Sequence, residues 1–341
     1  MIDSILHVFQ DYTFQIVALG TGFLGLLSGV IGSFTTLQKE SLLGDALSHA
    51  ALPGIVIGFM VIGRKEWLFL LGGAALSGLI ATGLIQWMNK NGAVQFDNAL
   101  SLILSSFFGL GLVLMTYLQR IPNADQAGIE NFIYGQASSM LLQDVRVLVI
   151  ASFIGLTLII IFWKELKLYT FDRKYSKTLG LNNNLIQLLI SSIMIVTIIL
   201  GLESVGVILI SALLIGPAVA ARQWTNRLSI MVTLAGIFGG VSGVLGTLIS
   251  SIYTQIPTGP SIVIVTSIIT CFSLLFAPKR GLIAAKRTLE LRRRKYLLKE
   301  EESCGLRTTR CILSHSWDNH AVRCHYTLSF TRDCPCVFSR K

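Results

Sequence analysis

Long apolar stretches alternate with short polar connections over the first 277 residues. Each stretch has 18 to 26 residues, close to the roughly 20 that an α-helix needs to cross the hydrocarbon core of a bilayer. The pattern predicts spans at 13–37, 41–63, 67–89, 98–119, 143–163, 184–201, 204–221, 228–253 and 259–277. Only Leu202 and Glu203 separate the sixth stretch from the seventh, so one of these two is predicted to be broken or half-length. The predicted fold is all-α, a polytopic transmembrane helical bundle of eight or nine spans with broken helices.

Composition also indicates a membrane protein. Hydrophobic residues make up 52% of the chain and charged residues only 13%, with a mean hydropathy of +0.68, whereas soluble domains carry about 25% charged residues. The first apolar run, Phe14 to Leu37, is preceded by no Lys or Arg. A cleavable signal peptide has a basic start and a shorter apolar core, so this run is predicted to be a retained span in the lipid bilayer.

The basic excess lies in the C-terminal segment. Residues 279–341 contain 15 Lys/Arg and 6 Asp/Glu, a net charge of +9, out of +10 for the whole chain. Because basic residues favour the cytoplasmic side of a span, the C-terminus is predicted to be cytoplasmic. Nucleic-acid binding is the weaker interpretation of such a segment, and no nucleic-acid partner is predicted.

Two ionisable side chains lie inside the second apolar stretch. Asp45 and His49 are four residues apart, which places them on one face of a helix. Ionisable groups are costly at membrane depth and usually line a pathway or a site. Carboxylate and imidazole suit Mn²⁺, Zn²⁺ and Fe²⁺, but two ligands are too few for a closed structural zinc site. We predict a metal transit site or a charge-paired gate; a hydrogen-bonded packing contact is the structural alternative.

Two Pro/Gly pairs interrupt apolar helices. Pro53-Gly54 follows the Asp45–His49 pair, and Gly216-Pro217 lies in the seventh stretch. Each pair frees backbone carbonyls, and such breaks are tolerated at membrane depth where neighbours or a water-filled cavity satisfy them. We predict helix breaks beside the pathway, as transporters often have; simple kinking is the alternative.

The segment from Phe171 to Leu181 is predicted to be an amphipathic helix of two to three turns. Asp172 suits its N-terminal end and Gly180 its C-terminal stop. Its position on the basic side of the membrane makes it a docking element, with an ordinary surface helix as the alternative.

The residues Gly44 to Ile55, GDALSHAALPGI, resemble the signature of bacterial manganese/zinc/iron permeases of the ABC-3 type. Further matches are residues 205–218 and Pro257 to Pro260, and the resemblance covers about residues 10–285. It implies the membrane subunit of a binding-protein-dependent metal ABC importer in the bacterial plasma membrane. Such a permease is a homodimer that receives Mn²⁺, or else Zn²⁺ or Fe²⁺, from an extracytoplasmic metal-binding lipoprotein.

The resemblance also implies a pair of cytoplasmic ATPase subunits that drive transport. Phe171 to Leu181 would be the coupling helix, in which Asp172, Ser176 and Gly180 match the family's spaced Asp, small residue and Gly. The chain has no Gly-x-x-x-x-Gly-Lys-Ser/Thr phosphate loop, so ATP is expected on the partner subunit. We therefore predict a transport subunit, not an enzyme, with no permanently bound cofactor.

Three other functions are alternatives to a metal permease. A permease for a metal chelate or a vitamin would use a related architecture. An intramembrane enzyme is disfavoured because His49 is the only histidine within an apolar stretch and His-Glu-x-x-His is absent. A passive channel would transport without ATP.

The predicted organisation has three parts: a transmembrane permease domain at 1–280, a basic cytoplasmic extension at 281–302, and a Cys/His-rich tail at 303–341. The tail contains five of the six cysteines. No Cys-x-x-Cys pair there has a matching second half, so a zinc site is weakly supported. A disordered appendage or non-family sequence from a shifted reading frame is preferred over a soft-metal sensor.

Overall fold

All regular elements in the part of the chain that the structure describes are α-helices. The computed structural model describes residues 11–62, 67–90, 92, 94–118, 120, 140–252, 256–278 and 281. Its helices are α1 (Tyr12–Leu37), α2 (Leu43–Ile62), α3 (Trp67–Lys90), α4 (Phe96–Leu118), α5 (Leu142–Ile161), α6 (Trp163–Phe171), α7 (Arg173–Thr178), α8 (Asn183–Val205), α9 (Val207–Trp224), α10 (Leu228–Ile252) and α11 (Thr258–Phe276). The predicted all-α fold is confirmed.

Eight of these helices are long and apolar enough to cross a membrane: α1 to α5, α8, α10 and α11. A ninth apolar segment, Leu209–Trp224 within α9, is shorter. The chain is therefore a polytopic helical bundle, as predicted. Apart from Gly281, the predicted basic extension at 281–302 and the tail at 303–341 lie outside the described residues, and these two boundaries stay predictions.

The chain breaks between α8 and α9 at Gly206. This residue has φ 91° and ψ 166°, a conformation that is essentially restricted to glycine. Its N–H still donates to the carbonyls of Gly201 and Leu202, which closes the end of α8. The sequence separates the sixth and seventh stretches at Leu202 and Glu203, and the observed break lies three to four residues further along the chain.

Pro53 and Pro217 do not end their helices, which corrects the breaks predicted at Pro53-Gly54 and Gly216-Pro217. Helix α9 continues through Pro217 to Trp224, although proline cannot donate to the carbonyl of Leu213. That carbonyl lies 3.4 Å from the hydroxyl of Ser28 on α1. The neighbouring carbonyl of Gly216 accepts a hydrogen bond from Thr270 on α11 at 3.2 Å. A hydroxyl of α1 thus lies beside the carbonyl that the proline leaves without a backbone donor, and α9 is not interrupted.

Helix α2 likewise continues from Pro53 and Gly54 to Ile62. The carbonyl of Ala50, one turn before the proline, accepts a hydrogen bond from the hydroxyl of Ser77 on α3. Gly54 also packs backbone against backbone with Gly73 of α3. Close contact with α3 therefore supports α2 within one turn of the proline.

Helix α1 lies at the centre of the bundle and contacts α5, α8, α9 and α10. Its closest partner is α10, because glycines on both helices remove the side chains between them. A Cβ added at Gly25 would lie 2.7 Å from the carbonyl carbon of Gly239, and one at Gly29 would lie 2.8 Å from that of Ala235. Small residues permit such close packing where no hydrophobic effect drives helices together. Helix α2 packs beside this centre, against α3, α4 and α9.

Candidate functional site

Asp45 and His49 face each other in the first two turns of α2. The Nε2 atom of His49 lies 3.7 Å from Oδ1 of Asp45, slightly beyond hydrogen-bond range. The side chains are 25% exposed for His49 and 37% exposed for Asp45. The carbonyl of Asp45 accepts a hydrogen bond from the hydroxyl of Ser48 at 2.8 Å. The two side chains share one helix face, with space between the nitrogen and the oxygen.

The separation of these two atoms suits a shared metal ion. Zinc binds carboxylate oxygen and imidazole nitrogen at about 2.0 to 2.2 Å, and a tetrahedral angle then places the two ligand atoms about 3.4 Å apart. The 3.7 Å between Oδ1 of Asp45 and Nε2 of His49 differs from that value by a few tenths of an ångström. The distance between the two atoms is therefore compatible with their binding one ion.

The other nitrogen of His49 is poorly prepared for tight binding. Its Nδ1 atom is buried and has no hydrogen-bond partner in the described part of the chain. The ring packs edge-to-face on Phe108 of α4, with centroids 4.8 Å apart. Histidines that bind metal usually donate their second N–H to an acceptor, which strengthens the ligand. An imidazole that bound metal through Nε2 would carry its proton on Nδ1 without that support, so it would be a weak ligand.

Asp45 opens into a groove formed by α2, α9 and α11. This groove has a volume of about 490 Å³. Its lining residues are Leu42, Asp45, Ser211, Ala212, Ile215, Gly216, Thr266, Ser267, Thr270 and Cys271. Four hydroxyls and a thiol therefore accompany the carboxylate. Of the predicted helix-break residues, only Gly216 lies in this groove.

Pro53 and Gly54 line a different cavity. It has a volume of about 570 Å³, lies between α2, α3 and α4, and is almost entirely apolar, with Ser77 as its one hydroxyl-bearing residue. An apolar wall offers no ligands to a metal ion. These two residues therefore lie beside the Asp45–His49 helix face but not in the polar groove.

The groove hydroxyls were missed from the sequence. Thr266, Ser267 and Thr270 are close together in the last span, and the spacing of four between the two threonines was the available signal. The Thr266 hydroxyl donates to the carbonyl of Ile262 in its own helix, and the Thr270 hydroxyl lies within hydrogen-bond distance of the carbonyls of both Thr266 and Gly216. Within the described residues, no group of three or more His, Cys, Asp and Glu side chains could hold a metal ion. One copy of the described chain thus contributes Asp45 and His49 as a pair.

A second site of interest is the short helix α7. Asp172 caps its N-terminus, because its Oδ1 accepts hydrogen bonds from the backbone N–H groups of Lys174 and Tyr175 at 3.0 and 2.9 Å. At the other end Gly180 has φ 80°, and Leu181 donates to the carbonyl of Ser176. This bond and the positive φ form the glycine-terminated helix end that the sequence predicted.

Ser176 anchors α7 to the first residue of α8. The residue is fully buried, and its hydroxyl hydrogen-bonds to the side-chain oxygen of Asn183 at 2.7 Å. The amide of Asn183 in turn donates to the carbonyl of Arg173 at 2.7 Å. Asp172, Ser176 and Gly180 therefore serve as cap, anchor and stop of one short element.

The outer face of this element is apolar. Phe171, Tyr175 and Leu179 are exposed. Tyr175 and Leu179 lie one turn apart at the end of α7, whereas Phe171 is the last residue of α6, and the extended Asp172 separates the two helices. The single helix predicted over Phe171 to Leu181 is therefore divided at Asp172. Exposed apolar side chains that cluster on a surface are typical of contacts with another molecule, and these three residues form the exposed row.

Comparison with known proteins identifies the family. The model of the ABC 3 transport family matches residues 10–277, which is most of the chain. The chain belongs to the ABC 3 transport family. It is 45% identical over 298 residues to the zinc transport system membrane protein TroC of Treponema pallidum, covering 87% of this chain and 99% of that protein.

Two further comparisons with this chain give the same result. The chain is 43% identical to the manganese transport system membrane protein MntC of Bacillus subtilis, over 86% of this chain and 68% of that protein. Among solved structures, PsaBC from Streptococcus pneumoniae in complex with Fab superposes with a TM-score of 0.73 and 29% identity, over 84% of this chain and all of that one. These likenesses make the chain a membrane permease subunit rather than an enzyme, as predicted. The roles of the individual site residues stay predictions.

Proposed function

We propose that the chain is the membrane permease of an ATP-driven importer of divalent transition metal, with Mn²⁺ as the preferred cargo and Zn²⁺ or Fe²⁺ as alternatives. Family membership and the zinc and manganese names of its relatives support metal transport. The observation that carries the proposal is the Asp45–His49 pair, whose 3.7 Å separation suits one shared ion. The metal is the cargo, because the pair would bind and then release it.

The position of the pair supports a role in release. Asp45 and His49 lie about 3 and 9 Å along the axis from the start of α2, at 1.5 Å per residue. The α6–α7 segment, which contacts the turn before α2, carries Lys164, Lys167, Arg173, Lys174 and Lys177. Basic connections favour the cytoplasmic side. The pair would therefore lie toward the cytoplasmic end of α2, with the C-terminus on the same side of a bacterial plasma membrane.

Two ligands from one copy are suited to passage rather than storage. A second copy of the chain would bring a further Asp45 and His49, and we propose that the permease works as a homodimer with the polar groove facing its partner. The groove between α2, α9 and α11 is open at the surface of one copy and carries the only carboxylate among its lining residues. An extracytoplasmic metal-binding lipoprotein would deliver the ion from the opposite face.

The exposed row of Phe171, Tyr175 and Leu179 supports ATPase docking on α7. Asp172, Ser176 and Gly180 hold this row in position by capping, anchoring and ending the helix. ATP hydrolysis then belongs to the partner subunit, in agreement with the lack of a phosphate loop in this sequence.

The test is uptake of radioactive Mn²⁺ by cells that express the chain with its ATPase and binding protein. Asp45→Asn and His49→Ala are expected to abolish accumulation while the complex still assembles, because each removes one of two ligands. Asp97→Asn is the matched control: it neutralises an exposed carboxylate in the first turn of another span and should transport normally. Wild-type uptake by Asp45→Asn or His49→Ala at normal expression would refute the proposal. Competition by Zn²⁺ and Fe²⁺ in the same assay identifies the preferred metal.

A further inference from the structure

The turn between α1 and α2 is built around Glu40. Its N–H donates to the carbonyl of Thr35 at 2.9 Å, which closes the end of α1, and its carbonyl accepts from the N–H of Leu43 at 3.0 Å, where α2 starts. Lys39, the residue before Glu40, has φ 62°, the left-handed conformation that ends many helices. The backbone of Glu40 is therefore held by both helices, five residues before Asp45.

The side chain of Glu40 reaches across to α7. Its Oε1 atom accepts a hydrogen bond from Nη2 of Arg173 at 2.7 Å. The same nitrogen lies 3.3 Å from the side-chain oxygen of Gln38, and the guanidinium stacks 4.8 Å above the ring of buried Tyr169. Gln38 also donates to the hydroxyl of Thr170 at 3.4 Å. Charge-assisted bonds of this length are among the stronger hydrogen bonds in proteins.

The contact is partly protected from water. The Glu40 side chain is only 12% exposed, while that of Arg173 is 44% exposed. Burial alone would lower the pKa of Arg173, but its hydrogen bond to Glu40 and the charges of Tyr169 and Glu40 outweigh this, so the pKa is raised above its ordinary value. Burial also raises the pKa of Tyr169, partly opposed by the charge of Arg173. The guanidinium therefore keeps its charge at every physiological pH.

We infer that Glu40 and Arg173 are positioning residues that transmit motion from the ATPase-docking helix α7 to the metal-bearing helix α2. The inference rests on the proposed function, in which α7 docks on the ATPase and Asp45 with His49 binds the metal. Arg173 is the first residue of α7, and Glu40 is fixed by its backbone to the first turn of α2. A displacement of α7 therefore reaches Asp45 through one ion pair and a single turn of chain.

Geometry separates this role from ATPase docking itself. Phe171, Tyr175 and Leu179 form the exposed row, whereas Glu40 belongs to another segment and its carboxylate is nearly buried. Removing the charge of Glu40 leaves the docking row unchanged. A loss of transport in a Glu40 variant that still binds and stimulates the ATPase would thus come from the connection between helices.

The experiment uses the complete transporter in proteoliposomes, with radioactive Mn²⁺ uptake, ATP hydrolysis and co-purification of the ATPase measured on the same samples. The variants are Glu40→Gln, Arg173→Gln and the exchanged pair Glu40→Arg with Arg173→Glu. Lys174→Gln is the matched control, since it removes a neighbouring positive charge on α7 whose side chain is exposed. Asp45→Asn is included to test the metal site separately.

We expect Glu40→Gln and Arg173→Gln to keep ATPase binding and hydrolysis within about twofold of wild type. Metal taken up per ATP hydrolysed should fall about fivefold or more, the lower end of typical coupling between sites. The exchanged pair should recover most of the uptake, and Lys174→Gln should resemble wild type.

Three results would overturn the inference: unchanged uptake per ATP in both single variants, a loss that only mirrors lost ATPase binding, or no recovery in an exchanged pair that assembles normally. The proposed function fails by a different result, namely normal uptake by Asp45→Asn. The two failures are therefore distinguishable in one set of samples.

Discussion

Replacing Gly25 by alanine tests whether the close approach of α1 and α10 holds the bundle together. The added Cβ would lie 2.7 Å from the carbonyl carbon of Gly239 and nearer still to its oxygen. Carbon atoms in favourable contact are about 3.5 to 4.0 Å apart, so the two helices would have to separate by about 1 Å. Both atoms that block the methyl group belong to backbone, which no rotamer change can move.

The expected cost follows from this displacement. Overpacking a well-packed interior typically destabilises by about 1 to 3 kcal/mol, and each kcal/mol lowers the melting temperature by about 2 to 4 °C in domains of 150 to 250 residues. We therefore expect Gly25→Ala to melt about 2 to 12 °C below wild type, measured by intrinsic fluorescence of the purified chain in detergent. Ser28, one turn further along α1, would shift with the helix and lose its 3.4 Å approach to the carbonyl of Leu213.

Gly22→Ala is the matched control on the same helix. Its Cβ would meet the tip of Val244 at 3.2 Å and no backbone atom closer than 3.9 Å. A valine methyl can yield by a few tenths of an ångström, and alanine is the better helix former by about 1 kcal/mol. Gly22→Ala should match wild type or exceed it. A melting temperature for Gly25→Ala equal to that of Gly22→Ala would refute the account of packing given for these helices.

Two further predictions concern the helix ends. Gly206→Ala should destabilise the chain by about 1 to 3 kcal/mol, because φ 91° and ψ 166° exclude a Cβ. Gly109→Ala is the control and should not lower the melting temperature, because its Cβ meets nothing within 4 Å. Equal losses of melting temperature in the two variants would contradict this prediction. Asp172→Ala removes the cap of α7, worth about 0.5 to 2 kcal/mol, and should weaken co-purification of the ATPase. Asp144→Ala removes a comparable bond at the start of α5 and should leave ATPase binding intact; a similar loss in both variants would argue against docking on α7.

The helices themselves were predictable because hydrocarbon thickness sets their length. All nine apolar stretches became helices, with ends within four residues of the predicted ones. The break at Gly206 was harder to place, since the sequence there has no polar interruption at the glycine and the decisive property is a positive φ. The continuity of the helices at Pro53 and Pro217 was not predictable for a related reason. Whether a proline ends a helix depends on how other helices pack around it, as Ser28 does beside the carbonyl of Leu213 and Gly73 does against Gly54.

The candidate site could be predicted only in part from the sequence. Asp45 and His49 stand out because charge is rare in apolar sequence, and spacing alone puts them on one face. The groove hydroxyls do not stand out, because serine and threonine within spans commonly bond their own helix, as Thr266 does. Nothing local to Glu40 indicates that it meets Arg173, 133 residues away. Contacts of this kind depend on how the helices pack, which local periodicity does not encode.

In the proposed mechanism, weak metal binding and motion transmitted from α7 would both favour release of the ion. A tightly binding site would retain its ion, and an ion must leave before the next can follow. In the proposed site Asp45 and His49 would offer two ligands, and His49, whose Nδ1 has no hydrogen-bond partner among the described residues, would be a weakened one. Moving a two-state equilibrium from 1:99 to 99:1 requires about 5.5 kcal/mol of differential affinity, and the loss of one of two ligands is a direct way to supply part of it. A movement of a few tenths of an ångström in the first turn of α2 changes the 3.7 Å separation on which shared binding depends. The Glu40–Arg173 pair is attached to that same turn, so the inferred entry point of ATPase motion into the membrane domain coincides with the proposed metal site.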